Sequence, residues 1–174
     1  MTDCVLCQAL TRKDLVLYED DQVAAILHPQ GAQPGHVVVL PKQHSPILEQ
    51  VPDFVVGALF VKANQLSRIL FENMEVGGVN LLVQNGVSAG QRQSHVMVHV
   101  LPRKENDSLN LLWKTRQLSE EEFSSVELKL KEETKVIGQF EREKPAPIEI
   151  KQPEKLEVKE GIVDWRIKWL KRIP

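Results

Sequence analysis

Residues 93–103 read Gln93-Ser94-His95-Val96-Met97-Val98-His99-Val100-Leu101-Pro102-Arg103, "QSHVMVHVLPR". Apolar and other residues alternate from His95 to Val100, and a period of two is the mark of a β-strand. The alternation puts His95, Met97 and His99 on one face and three valines on the other. One strand face therefore carries two imidazoles with a thioether between them. Proline at 102 marks the expected end of this strand.

Working outward, Leu15–Glu19 and Val23–His28 read as short strands on either side of the turn at Asp20-Asp21. Residues 29–36, "PQGAQPGH", are a loop rich in proline and glycine, and Val37–Leu40 is a buried strand. Pro52-Asp53 opens a helix with Val56, Leu59, Phe60, Ala63, Leu66 and Leu70 on one face. Gly77-Gly78 ends it, and Val79–Val83 is a further strand. Gln84–Gly90, "QNGVSAG", is a glycine-punctuated loop leading into the histidine strand. Short connections between strands point to antiparallel pairing, hence an α+β domain.

The rest of the chain differs. Ser119 followed by Glu122 is a capping-box pattern opening a helix with the stripe Phe123, Val126, Leu130 and Ile137. Residues 144–160 hold prolines among alternating charges and read as an extended linker. A terminal amphipathic segment carries Ile162, Trp165, Trp169 and Ile173 on one side, with Arg166, Lys168, Lys171 and Arg172 largely elsewhere. Two tryptophans there call for cover: the parent domain, a sister subunit, a membrane surface or a partner. The domain organisation is then 1–104, 105–143 with the helix packing on the first part, and 144–174.

The chain has 174 residues, 42% hydrophobic and 26% charged, with a formal net charge of −2. These values suit a globular domain and give no bias toward nucleic acid or a membrane. No apolar run approaches the roughly 20 residues that span a bilayer, and the N-terminus is too short and polar for a signal peptide. A cytoplasmic location is the expectation.

The two cysteines, Cys4 and Cys7, form a C-x-x-C pair. In a reducing compartment such a pair points to metal or redox chemistry, and its place at the chain start favours metal. Zinc takes four sulfur and nitrogen ligands in structural sites, so two histidines are needed. Spacing does not choose them, although His44, after strand Val37–Leu40, and His95 could converge. The loop Gln84–Gly90, with Asn85 inside it and Gln91 at its exit, could let backbone N–H groups approach an anion.

The run "AGQRQSHVMVHVLPR" resembles the signature of the histidine triad superfamily, in which three alternating histidines follow an Ala-Gly-Gln loop and precede Pro-Arg. "PGHVVVLPKQH" and "YEDDQVAAILHP" resemble the same family's upstream strands, so the likeness covers roughly residues 4 to 104. The resemblance implies an antiparallel sheet of about five strands with one main helix, usually a homodimer. It also implies a purine nucleotide, AMP-like or a dinucleoside polyphosphate, bound with its α-phosphate against the histidine strand. Hydrolysis of nucleoside phosphoramidates or dinucleoside polyphosphates, or nucleotidyl transfer, is the implied ancestral chemistry.

Carried over residue by residue, the resemblance implies structural zinc on Cys4, Cys7, His44 and His95. His28 stands where Asp or Asn usually meets the ribose hydroxyls. Asn85 and Gln91 match phosphate-side contacts, and His99 matches the third histidine, facing phosphate or the leaving group. His36 matches a supporting histidine behind the triad. Met97 occupies the place of the middle histidine, the family's nucleophile. A thioether is poorly nucleophilic toward phosphorus and cannot act as general acid or base. His99, two residues along the strand, lies about 6–7 Å away. Three accounts of Met97 stay open: a natural substitution in a binding protein without catalysis, an introduced change in an active parent, or an enzyme with another nucleophile such as water. Two competing readings are a zinc-stabilised interaction protein acting through its C-terminal tail, and a redox module using Cys4 and Cys7.

Overall fold

The structure, a computed structural model, describes residues 4–137. The linker and the tryptophan-bearing terminal segment expected from the sequence lie outside the described residues. The described chain falls into two compact units, one ending at Leu109 and the other starting at Asn110.

The first unit is built on a five-stranded antiparallel sheet. Its strands are β1 (Val16–Glu19), β2 (Val23–Leu27), β3 (Val37–Pro41), β4 (Gly78–Val83) and β5 (Val98–Arg103), in the order β1-β2-β3-β5-β4. Helix α1 spans Val5–Ala9 and α2 spans Asp53–Asn73. The α+β class and the strand count agree with the expectation from sequence.

The side-chain alternation read from residues 95–100 sorts the core into two layers. Val96, Val98 and Val100 join Val37, Val39, Val23 and Ala25 against Leu59, Ala63 and Leu70 of α2. Met97 joins Ile26, Val38 and Leu40 on the other face, covered by Leu6 and Ala9 of α1. The centre of the sheet is thus covered on both sides, which is why β2 and β3 read as continuous apolar runs rather than alternating ones.

Two boundaries differ from the sequence reading. Regular pairing of β5 begins only at Val98, so His95 and Met97 lie in the extended lead-in, held where Val96 N–H donates to the Ser45 carbonyl at 2.8 Å. At the other end β5 runs through Pro102 to Arg103. The register of β5 with β3 covers Val98–Val100, so at 102 one side has no ladder bond for proline to break.

The buried stripe of α2 is Val55, Leu59, Ala63, Ser67, Leu70 and Phe71. Phe60, expected on the core face, is 42% exposed, because the helix is rotated toward Val55. By length and composition α2 could cross a bilayer. Here it packs lengthwise on β2, β3, β4 and β5. Helix α1 was not foreseen. Beyond β5, Arg103 reaches Asp107, Asn80 and the Leu109 carbonyl, while Gln33 Nε2 donates to the Asp107 carbonyl at 2.6 Å. The Arg103 hydrogen bond holds the Asp107 carboxyl well below the usual range.

In the second unit, α3 (Glu120–Glu133) starts with the expected capping box: Ser119 accepts from Glu122 N–H, and the Glu122 side chain accepts from Ser119 N–H. None of its residues is buried.

Candidate functional site

All five histidines lie in the first unit, and the structure sorts them into two groups. The first group, His44 and His95, forms with the two cysteines a cluster that could hold a metal ion. Cys4 is the N-cap of α1 and its side chain makes no capping bond. Cys7 follows three residues later, one helical turn on, so both thiols share a face. His44 lies in the turn after β3 and His95 in the lead-in to β5, and the Val96–Ser45 hydrogen bond draws these segments together. The four ligand atoms all lie within 4.8 Å of one another.

Pairwise distances test whether a tetrahedral cation fits. Cys4 Sγ is 3.6 Å from His95 Nδ1, and Cys7 Sγ is 3.4 Å from both His95 Nδ1 and His44 Nδ1. Zinc–sulfur and zinc–nitrogen bonds at a tetrahedral angle give an S···N edge of about 3.6 Å, so the residues fit. His95 is fully buried, and its Nε2–H donates to the Pro41 carbonyl at 2.9 Å, leaving Nδ1 for the cluster. A carbonyl partner on the distal ring nitrogen is the usual outer support of a ligand histidine. These four residues could hold a metal ion.

The second group is His28, His36 and His99, on the α1 side of the sheet. His28 stacks on His36 with ring centroids 4.7 Å apart and planes 10° from parallel; His36 and His99 are 5.2 Å apart. The Ala32 N–H donates to His36 Nδ1 at 3.0 Å, so a neutral His36 carries its proton on Nε2. His36 Nε2 lies 3.0 Å from His99 Nδ1, which must then accept. The His99 proton is therefore on Nε2. His28 Nδ1 accepts from Gln30 N–H at 3.1 Å, so its Nε2 is also a donor. These protonation states are assigned from the hydrogen-bond network.

Burial, and then the neighbouring imidazoles, push His36 down to about 4; burial and His28 do the same to His99. The unfolded rings, near 6.5, take up protons first as the pH falls. Stability is therefore full above about pH 6.5, and falls toward about pH 4, at up to about 1.4 kcal/mol per pH unit for each ring. Urea unfolding at stepped pH should show this slope, and His36→Gln should flatten it.

Asn85 and Gln91, expected at the phosphate, both have their amides engaged within the protein. Asn85 accepts from Leu48 N–H at 2.9 Å and donates to Glu49 at 2.7 Å. Gln91 accepts from Gly86 N–H at 2.7 Å and donates to the Pro46 and Gln93 carbonyls at 2.6 and 2.8 Å. The N–H groups of Gly86, Ala89, Gly90 and Gln91 are likewise spent on internal bonds. Gly86 and Gly90 have φ of 91° and 87°, and a Cβ at 90 would meet Gln84 Nε2 at 2.6 Å. The loop is thus stitched to the turn at 46–49, a role for Gln91 with no sequence signal beyond its place after two glycines.

Met97 is 7% exposed among Leu6, Ala9, Ile26, Val38 and Leu40, with Cys4 in the same cluster. The place matched to the nucleophile is therefore filled by a close-packed apolar side chain.

Residues 10–106 match the family model described as HIT domain. The chain belongs to the HIT domain family. The match begins after both cysteines. Adenylylsulfatase HINT3 of Arabidopsis thaliana is 39% identical over 109 residues, 62% of this chain and 55% of that protein, so the aligned part spans about half of that relative. The bis(5'-nucleosyl)-tetraphosphatase [asymmetrical] of Schizosaccharomyces pombe is 32% identical, over 53% of this chain and half of that protein. Among solved structures, a HIT family member from Bacillus subtilis superposes with a TM-score of 0.68 at 26% identity, covering 75% of this chain and 96% of the other. A Zn-bound histidine triad family protein from Mycobacterium smegmatis gives 0.57 at 25% identity, covering 75% and 97%. The HIT family includes nucleotide hydrolases, as these names record. The HIT fold here places His28, His36 and His99 on one face and the four cluster residues beside it.

Proposed function

We propose that this HIT protein binds a purine nucleotide, AMP-like or a dinucleoside polyphosphate, and that Met97 leaves hydrolysis or nucleotidyl transfer impaired. The observation that carries this is the chain of hydrogen bonds from Ala32 N–H through His36 to His99. It ends on the Nε2–H of His99 while a buried thioether fills the neighbouring place. A neutral N–H donor can bind a phosphate oxygen without supplying an electron pair to phosphorus. In this reading the Nε2–H of His28, half-buried on the same face, donates to a ribose hydroxyl.

The metal in this reading is zinc, held by Cys4, Cys7, His44 and His95. Its chemistry is a structural cross-link pinning α1 and the β3 turn to the lead-in of β5. With the donor set that close, the thiols serve metal rather than redox exchange. A homodimer in the cytoplasm completes the proposal.

The test pairs two measurements on the zinc-loaded protein. Calorimetric titration with AMP should show saturable binding below millimolar concentration, and incubation with adenosine 5′-phosphoramidate should release no AMP above background. An absence of binding at millimolar AMP contradicts the nucleotide reading; efficient release of AMP contradicts the role given to Met97.

A further inference from the structure

His28 and His36 bound the loop between β2 and β3, and that loop is closed on itself. His28 N–H donates to the His36 carbonyl at 2.9 Å, His36 N–H to the Gln33 carbonyl at 3.0 Å, and Ala32 N–H to His36 Nδ1 at 3.0 Å. Among the described residues, one hydrogen bond ties residues 29–35 to chain outside the loop. It is the bond from Gln33 Nε2 to the Asp107 carbonyl, at 2.6 Å.

The turn that receives this bond is firmly held. Arg103 grips the Asp107 carboxylate through Nε at 2.5 Å and Nη2 at 2.9 Å, and donates to Asn80 of β4 at 2.6 Å. The N–H groups of Leu109 and Lys104 donate to the same carboxylate. Asn106 and Ser108, on either side of Asp107, have φ of 59° and 62°. Left-handed backbone at such residues costs energy and persists where its surroundings fix it. The bidentate grip on Asp107 supplies that fixing.

Proton placement on the histidines depends on the loop so anchored. Ala32 N–H occupies His36 Nδ1, which puts the His36 proton on Nε2, makes His99 Nδ1 the acceptor and leaves the His99 proton on Nε2. Without the Ala32 bond the reverse order is equally satisfied. His36 then carries its proton on Nδ1, His99 donates from Nδ1 to His36 Nε2, and His99 Nε2 is a bare lone pair. A bare nitrogen cannot hold the phosphate oxygen that an N–H would hold.

We propose that the turn at 103–109, acting through Gln33, is a clasp that fixes which nitrogen of His99 carries the proton. Gln33, Arg103 and Asp107 are then positioning residues for nucleotide binding. This rests on the reading of His99 as the phosphate donor and extends it to residues outside the histidine face.

The test compares the full-length, metal-loaded parent with Gln33→Met, which is close to glutamine in length but has no donor, and with Asp107→Asn, which weakens the grip of Arg103. Side-chain ¹H–¹⁵N spectra are recorded without ligand at neutral pH, AMP is titrated into the same samples, and urea midpoints are measured. The parent should show His36 and His99 as Nε2–H. Gln33→Met should introduce Nδ1–H forms of both rings and weaken AMP binding about tenfold, the scale of one hydrogen bond to a charged group. Asp107→Asn should move the same signals the same way, by less. Tautomers unchanged in either variant overturn the clasp, whatever the urea midpoint does. Changed tautomers with unchanged AMP affinity support the clasp and overturn His99 as the phosphate donor. A parent that binds no AMP overturns the nucleotide reading, and the ligand-free ring spectra then decide the clasp by themselves.

Discussion

Met97→His is expected to raise hydrolysis of an adenylyl phosphoramidate at least about 10²-fold over the parent chain, the low end of what one positioned acid–base group contributes. The reasoning starts from electrons. An imidazole nitrogen can attack phosphorus, form an N–P bond as the leaving amine departs with a proton, and be released by water. A thioether making the same bond would become a sulfonium with no proton to lose. The replacement has a cost. Position 97 packs among Leu6, Ala9, Ile26, Val38 and Leu40, and polar ring nitrogens placed there lose water without a partner in view. Stability should fall by about 1–3 kcal/mol, read from the urea midpoint, while released AMP is followed by chromatography. Retained AMP binding without new hydrolysis would mean that phosphorus is not presented to position 97.

Removing the metal is expected to have the largest effect on stability, lowering Tm by at least about 10 °C, or about 2 kcal/mol for a domain of this size. Helix α1 has five residues, far too few to stand alone. A bound cation would tie it through Cys4 and Cys7 to His44 and His95, while Leu6 and Ala9 cover Ile26, Val38, Leu40 and Met97. Without the cation the tie is lost and this apolar layer is exposed. Calorimetric scans before and after chelation, with metal content measured on the same samples, check the expectation; Cys7→Ser should reproduce the apo value. An unchanged Tm in verified metal-free protein would contradict a structural role.

The sheet was legible because its signal is local. Alternation at 95–100 assigned Val96, Val98 and Val100 to one layer and Met97 to the other, and both layers exist as read. The capping box at Ser119 was legible for the same reason. The rotation of α2 was not. Val55 and Phe60 are both apolar, and only the shape of the sheet beneath decides which is buried. Helix α1 was hidden by its length, since five residues show no period. The four-residue metal cluster needed the resemblance, because His44 and His95 are distant in sequence and meet through one backbone hydrogen bond at Val96. Gln91 and Asn85 illustrate the remaining gap: residue type announces hydrogen bonding, but whether the partner is a ligand or the loop itself depends on where Pro46 and Leu48 lie.

The central claim is that His99, kept neutral with its proton on Nε2, faces the nucleotide phosphate while Met97 stands idle beside it. Long-range ¹H–¹⁵N spectra of the histidine side chains during an AMP titration at neutral pH address it directly. The account expects His36 and His99 as Nε2–H tautomers before ligand, and saturable shifts at His99 and His28, with the His44 and His95 ring signals nearly still. Protonated or Nδ1–H forms of His99, or shifts confined to residues outside this face, would contradict it.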